Sequence, residues 1–131
     1  MNLLLDTHSF LWYYKGVSDL STNALHLIES PENDFFISVV SLWEIAIKNS
    51  LGKLGLNAPL GDFFKDVVQK GFNLMPIDLS YILQSAAFPF HHRDPFDRLI
   101  IGQSIVEKMP VVTKDALFDP YGLSSNLQVI W

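Results

Sequence analysis

The sequence predicts an α/β fold with a mostly parallel central sheet of about five strands. Three observations lead there. Short apolar runs (Asn2–Leu5, Phe35–Val40, Phe72–Met75, Pro110–Thr113 and Leu127–Trp131) lack regular polar alternation, as strands covered on both faces do. Stretches of helical length separate most of them, and parallel pairing requires such crossovers. Acids follow two of the runs, Asp6 directly after the first and Asp115 two residues past Thr113. Those are the positions where an open parallel sheet holds its ligands.

The elements follow in order. Thr7–Tyr14 reads as a short helix or turn, and Lys15–Asp19 as a connector. Asp19 or Ser21 caps a helix running through Ser30, with Leu25 and Ile28 facing inward. Pro31–Asp34 is a turn. After the second strand, Ser41–Leu51 forms a helix with Leu42, Ile45 and Ala46 on one face and Trp43 and Ile47 on another. Such breadth suits a helix lodged between a sheet and a second surface, such as a subunit contact. Gly52–Pro59 is irregular. Leu60–Lys70 is a helix carrying Phe63, Phe64, Val67 and Val68, and Gly71 stops it. Pro76 ends the third strand, Ser80 caps a helix through Ala87, and Phe88–Arg93 is a loop. Asp94 is an N-cap and Pro95 the first residue of a helix ending near Met109. Asp115–Phe118 is a helical turn and Asp119–Gly122 a loop.

The bulk properties bound the function. A chain of 131 residues suits one domain, residues 1–131, that buries roughly two thirds of its unfolded surface. A hydrophobic fraction of 49% supplies a core and argues against disorder. With no cysteine there is neither a disulfide nor a thiolate zinc site. The first residues have no basic segment and meet Asp6 early, unlike a signal peptide. No apolar run approaches the ~20 residues that span a bilayer. The expectation is a soluble cytoplasmic protein without membrane association. The net charge of −5 speaks against a broad nucleic-acid-binding surface but leaves room for a small acidic centre filled by cations.

Four acids stand out: Asp6, Glu44, Asp97 and Asp115. Each also has a plain structural reading. Glu44 follows Ser41, and Asp97 follows Asp94, by the three residues of a capping box. Asp6 can begin an Asx-turn or cap the next helix, and Asp115 can cap a terminal turn. Their combination points further, because converging carboxylates repel unless cations neutralise them. Hard divalent ions such as Mg²⁺ and Mn²⁺ prefer oxygen ligands, and they activate water against a phosphodiester. Asp94 is a fifth acid nearby, although its capping role suffices to explain it.

Four blocks then carry a family resemblance: LLLDTHSFLW (Leu3 to Trp12), SVVSLWEIAIKNSLGKL (Ser38 to Leu54), HHRDPFDRLIIGQSIVE (His91 to Glu107) and PVVTKD (Pro110 to Asp115). In content and order they resemble PIN-domain proteins of the VapC toxin type, from bacterial toxin–antitoxin modules. The resemblance implies a three-layer α/β/α fold. It implies that Asp6, Glu44, Asp97 and Asp115 are an acidic metal-binding quartet, with Thr7 and Thr113 beside it. It implies a Mg²⁺- or Mn²⁺-dependent endoribonuclease that leaves 5′-phosphate and 3′-hydroxyl ends. It further implies a homodimer, and inhibition by a small cognate antitoxin.

The cations flanking the motifs include Lys48, Arg93, Arg98 and Lys114. Arg93 and Arg98 are candidates to hold a substrate phosphate, against the plainer reading that they are solvated or, for Arg98, paired with an acid. His91 and His92 are candidate transition-metal ligands, but no third histidine or cysteine lies near them in sequence, and His8 can support the acid-bearing turn it follows; a surface or packing role is the plainer reading for all three. Trp12, Trp43, Phe63 and Phe64 read as core or dimer contacts. Two alternatives stand beside the nuclease. One is a PIN-fold binding or regulatory protein without catalysis, which a broken acid set would favour. The other is an acid-centred phosphohydrolase. A haloacid-dehalogenase-like enzyme needs a second acid two residues after the first, and His8 occupies that place.

Overall fold

The computed structural model describes every residue, Met1–Trp131. β1 (Asn2–Leu5) begins the chain and occupies the centre of a five-stranded, all-parallel sheet. α1 (Thr7–Lys15) and α2 (Thr22–Glu29) lead to β2 (Asp34–Ser38), which pairs with β1. α3 (Val39–Ser50) and α4 (Leu60–Gln69) lead to the edge strand β3 (Asn73–Met75). α5 (Leu79–Ala87) and α6 (Pro95–Glu107) then carry the chain back to β4 (Val111–Val112), on the other side of β1. A 3-10 turn (Ala116–Phe118) and α7 (Pro120–Ser125) precede the second edge strand, β5 (Val129–Ile130). The sheet order is β3-β2-β1-β4-β5. The chain reverses its direction of growth between β1 and β4, so the crevice beyond their carboxyl ends is the switch point where such sheets bind ligands.

Side chains on β1 alternate between two cores, as strand geometry requires. Leu4 packs with Val111, Ile100, Ile101 and Phe118 on one face. Leu3 and Leu5 pack with Ile37, Val112, Phe10 and Val67 on the other. The sheet is therefore the middle of three layers, the α/β/α PIN-like arrangement expected. No helix is long and apolar enough to cross a membrane.

Several local expectations shift. β2 ends at Ser38, whose hydroxyl caps α3 by accepting the Val40 N–H at 3.1 Å. The β-branched pair Val39-Val40 reads as strand in sequence, but that cap draws it into the helix. Ser41 is thus already helical, and the Ser41–Glu44 capping box does not form. In α2, Ser21 rather than Asp19 is the cap, and Ala24 rather than Leu25 packs beside Ile28. Asp78, not Ser80, precedes α5. Asp119–Gly122 is not a loop, because Pro120 opens α7 and the fully buried Tyr121 anchors it.

Candidate active site

Asp6 is the first residue beyond β1. Its Oδ1 accepts the Ser9 N–H at 2.8 Å, which caps α1, and its Oδ2 accepts the Thr113 hydroxyl at 2.6 Å. The capping role and a place at the switch point therefore coexist. Only 4% of Asp6 is exposed, and burial raises its pKa although Thr113 and Ser9 oppose the shift. Thr113 also accepts the Asp115 N–H at 3.0 Å, so one hydroxyl links two acids. Asp115 lies just past β4 and caps the 3-10 turn by accepting the Leu117 N–H at 2.9 Å.

The other two acids arrive on helices. Glu44 is in the second turn of α3, and 2% of it is exposed. Thr7 Oγ1 donates to Glu44 Oε1 at 2.7 Å, and the Lys48 ammonium, one turn later, pairs with Oε2. Burial disfavours the charge on Lys48, but the hydrogen bond to Glu44 and the fields of Glu44, Asp94 and Asp97 outweigh it and raise its pKa. On α6, Asp94 is the N-cap, accepting the Phe96 and Asp97 N–H groups at 2.9 and 3.3 Å, with Pro95 in the first turn. Asp97 does not reach back to complete a capping box, because the Asp94 N–H is taken by His92 Nδ1 at 3.2 Å. The Asp97 carboxyl is thereby released towards the other acids. Its pKa is pushed up to about 8, first by burial and then by Asp94, Glu44, Asp6 and Asp115.

The other three predicted acids act on the Asp97 carboxyl through their charge, but only Asp115 joins Asp97 at ligand distance, and Asp6 and Glu44 stand further off. No lysine or arginine is within ion-pair distance of Asp6, Asp97 or Asp115, and Lys48 is the one such cation on Glu44. Five acids set against one lysine is a charge imbalance that fits a divalent cation held by oxygen donors. The closest potential ligand atoms belong to Asp97, Asp115 and His92, which come within 4.8 Å of one another.

His92 is the residue that sequence reasoning missed. Instead of lying on the surface it is buried, with Nε2 at 2.8 Å from Asp115 Oδ2 and 3.1 Å from Asp97 Oδ2. Nothing in the sequence separates it from His91, which is exposed and turns its ring to Tyr121. The expectation for Arg98 is corrected. Its guanidinium is buried and meets neither a phosphate-facing surface nor an acid. Nη1 donates to the Pro89 and His92 carbonyls and the Tyr121 hydroxyl, and Nη2 to the Ser85 and Phe88 carbonyls. Arg93 and Lys114 are exposed. A cavity of about 650 Å³ lies elsewhere, between the α6 C-terminus and the segment Gly122–Gln128, and Lys108 is its one titratable lining residue.

Comparison with known proteins gives this geometry its context. The PIN domain family matches residues 3–122. No curated protein sequence matches. Among solved structures, FitAcB from Neisseria gonorrhoeae has a TM-score of 0.67 at 15% identity, covering 98% of this chain and 96% of that one. A toxin–antitoxin complex from Klebsiella pneumoniae has a TM-score of 0.61 at 16% identity, with coverages of 98% and 96%. VapBC-5 from Mycobacterium tuberculosis, of the VapBC family of toxin–antitoxin systems, has a TM-score of 0.64 at 19% identity, with coverages of 98% and 97%. At such identities the likeness is one of fold. The family match covers most of the chain, and this protein belongs to the PIN-domain family.

Proposed function

We propose that this protein is a Mg²⁺- or Mn²⁺-dependent endoribonuclease, the toxin of a type II toxin–antitoxin pair, acting in the cytoplasm. The observation that carries the reading is the gathering of Asp6, Asp97 and Asp115 beyond the carboxyl ends of β1 and β4, with Glu44 and Asp94 nearby and one lysine to offset all five. Asp6, Glu44, Asp97 and Asp115 would hold the ion. Once bound, the ion would offset their repulsion and supply Lewis-acid activation of water and of the scissile phosphodiester. The chain's own residues prepare that site. Thr113 fixes Asp6 and the Asp115 backbone, and Thr7 fixes Glu44. Arg93 and Lys114, both exposed, are the cations left to face RNA phosphates, since Lys48 is paired with Glu44. The toxin–antitoxin complexes of the same fold support a small antitoxin as the partner.

The homodimer belongs to the same proposal. Trp43 is 58% exposed, and it borders an apolar groove of about 310 Å³ with Ile77, Ile82 and Phe96. A second copy is the occupant we assign to it, and sedimentation of wild type against Trp43→Glu tests that. The activity is tested by incubating a structured RNA and a single-stranded DNA with wild type and Asp6→Ala, in Mg²⁺, in Mn²⁺ and in EDTA. The expected result is RNA cleavage that needs the ion, leaves 5′-phosphate ends and is lost in Asp6→Ala. Cleavage that survives in EDTA, or in Asp6→Ala, overturns the reading.

A further inference from the structure

His92 sits against two of the proposed metal-binding acids and is held on every side. Its backbone N–H donates to the Tyr121 hydroxyl at 3.0 Å, and its carbonyl accepts Arg98 Nη1 at 3.1 Å. The ring meets Phe118 edge-on, with centroids 5.4 Å apart. The remaining contacts are the Asp94 N–H on Nδ1 and the two carboxylates at Nε2. A nitrogen and two carboxylates within ligand distance resemble a mixed metal site, so the question is whether the imidazole is a ligand.

The tautomer answers it. A backbone N–H can only donate, so the Nδ1 that accepts it carries a lone pair, and the ring hydrogen resides on Nε2. Nε2–H then donates to Asp115 Oδ2, with Asp97 Oδ2 in contact at the same nitrogen. Ligation through Nε2 would require the hydrogen to move to Nδ1, where it would face the Asp94 N–H. That N–H is fixed by the start of α6, because Asp94 is the N-cap.

We infer that His92 is a positioning residue, not a metal ligand: through Nε2–H it holds Asp115 beside Asp97, so that the two carboxyl groups are spaced before any ion arrives. The inference rests on the metal-dependent reading above. It explains why Arg98 and Tyr121 lock the backbone of a loop residue, since any drift of the ring would release Asp115. Outer hydrogen-bond partners of this kind typically govern ion affinity by ~10–100-fold.

The test uses the full chain. Long-range ¹H–¹⁵N spectra of the metal-free protein, and of the protein with Mg²⁺, report which ring nitrogen of His92 bears the hydrogen. Nε2 is expected in both. Pulsed electron paramagnetic resonance of bound Mn²⁺ is expected to find no directly coordinated nitrogen. In Mn²⁺ titrations His92→Ala should bind ~10–100-fold more weakly. His92→Gln, which returns an N–H near the place of Nε2, should recover most of that loss, and His92→Asn should not. His91→Ala should behave as wild type.

Nitrogen coordinated to Mn²⁺, or hydrogen on Nδ1 in the Mg²⁺ form, overturns the inference and makes His92 a ligand. Undiminished Mn²⁺ affinity in His92→Ala overturns it too, as does a Gln variant no better than Ala. Should His92→Ala fail to fold, the wild-type spectra and the Gln–Asn contrast still decide. If wild type takes up neither ion, the metal reading has failed, whereas hydrogen on Nδ1 in the metal-free protein defeats the His92 inference alone.

Discussion

Asp97 and Arg98 are neighbours in sequence, both largely buried, and solved in opposite ways. Five acceptors surround the Arg98 guanidinium, and the ring of Phe90 covers it at 4.2 Å. Its charge is dispersed over carbonyl dipoles, so it ties the Ser85–His92 segment to α6 and needs nothing more. Asp97 feels four other acids, is touched by His92 Nε2 at 3.1 Å, and has no lysine or arginine as a partner. Buried charge is costly unless it is paired. One residue has been given its partners by the fold, and the next, on the function proposed above, takes them from outside. The difference separates a charge that the fold satisfies from one that it does not better than burial does, since both are largely enclosed.

Replacing each should therefore fail in a different assay. Asp97→Asn is expected to cut RNA at least ~10³-fold more slowly, about 4 kcal/mol in the barrier. At pH 8 and without metal it should be more stable than wild type, by about 1 kcal/mol, because a strained carboxylate is gone. Cleavage rates beside urea unfolding check both; unchanged cleavage would remove Asp97 from the mechanism. Arg98→Ala should do the reverse. It leaves buried carbonyls unpaired and is expected to lose roughly 3 kcal/mol of stability, while the folded fraction, counted by native-state spectroscopy, loses less ion affinity than His92→Ala, because Tyr121 still holds the His92 backbone.

A smaller effect follows from pH. Asp97 titrates near 8 in the folded chain against 3.8 for the free group, and Asp6 is shifted the same way by burial. A raised folded pKa means the folded state binds the extra proton. Asp97 supports the metal-free fold fully below about pH 4 and loses that support as pH climbs through about 8, and Asp6 acts in the same direction. An ion requires the deprotonated acids, so its binding releases protons and strengthens with pH. The gap in melting temperature between Mg²⁺ and EDTA samples should widen from pH 5.5 to 8, by of the order of 1–3 kcal/mol in stability. A gap that stays constant would mean that no proton occupies the site.

The same contrast marks what the sequence could reveal. Apolar runs and crossover lengths exposed the five parallel strands, because a strand covered on both faces has few ways to look otherwise. The Asp94-Pro95 start of α6 was legible for a similar reason: a cap and a fixed φ act locally. The start of α3 was not, since Val39-Val40 favours a strand and only the Ser38 cap, seen in three dimensions, decides. Asp6 and Asp115 could be picked out because they follow strands. His92 and Arg98 could not, because their partners lie on other elements: Asp115 and Tyr121 for one, the Ser85–Pro89 carbonyls for the other. Side chains that serve a neighbouring element leave no periodicity to read.

Thr113 tests the finest form of the contrast, an acid that the fold has half satisfied. Its hydroxyl donates to Asp6 Oδ2 and accepts the Asp115 N–H, and it is fully enclosed. Thr113→Val keeps the shape and removes both bonds. Asp6 then loses the donor that best opposes its desolvation, so its pKa moves further up and a larger share of the protein carries a proton where an ion should bind. Ion affinity should fall by roughly tenfold at pH 6.5, in keeping with one lost hydrogen bond to a charged group. The deficit should shrink as pH rises, because deprotonation ceases to be limiting. Thr113→Ser should restore wild-type binding. A deficit in Thr113→Val that is equal at every pH would assign Thr113 to geometry alone, and its hydroxyl would then matter for where Asp6 points rather than for how readily it ionises.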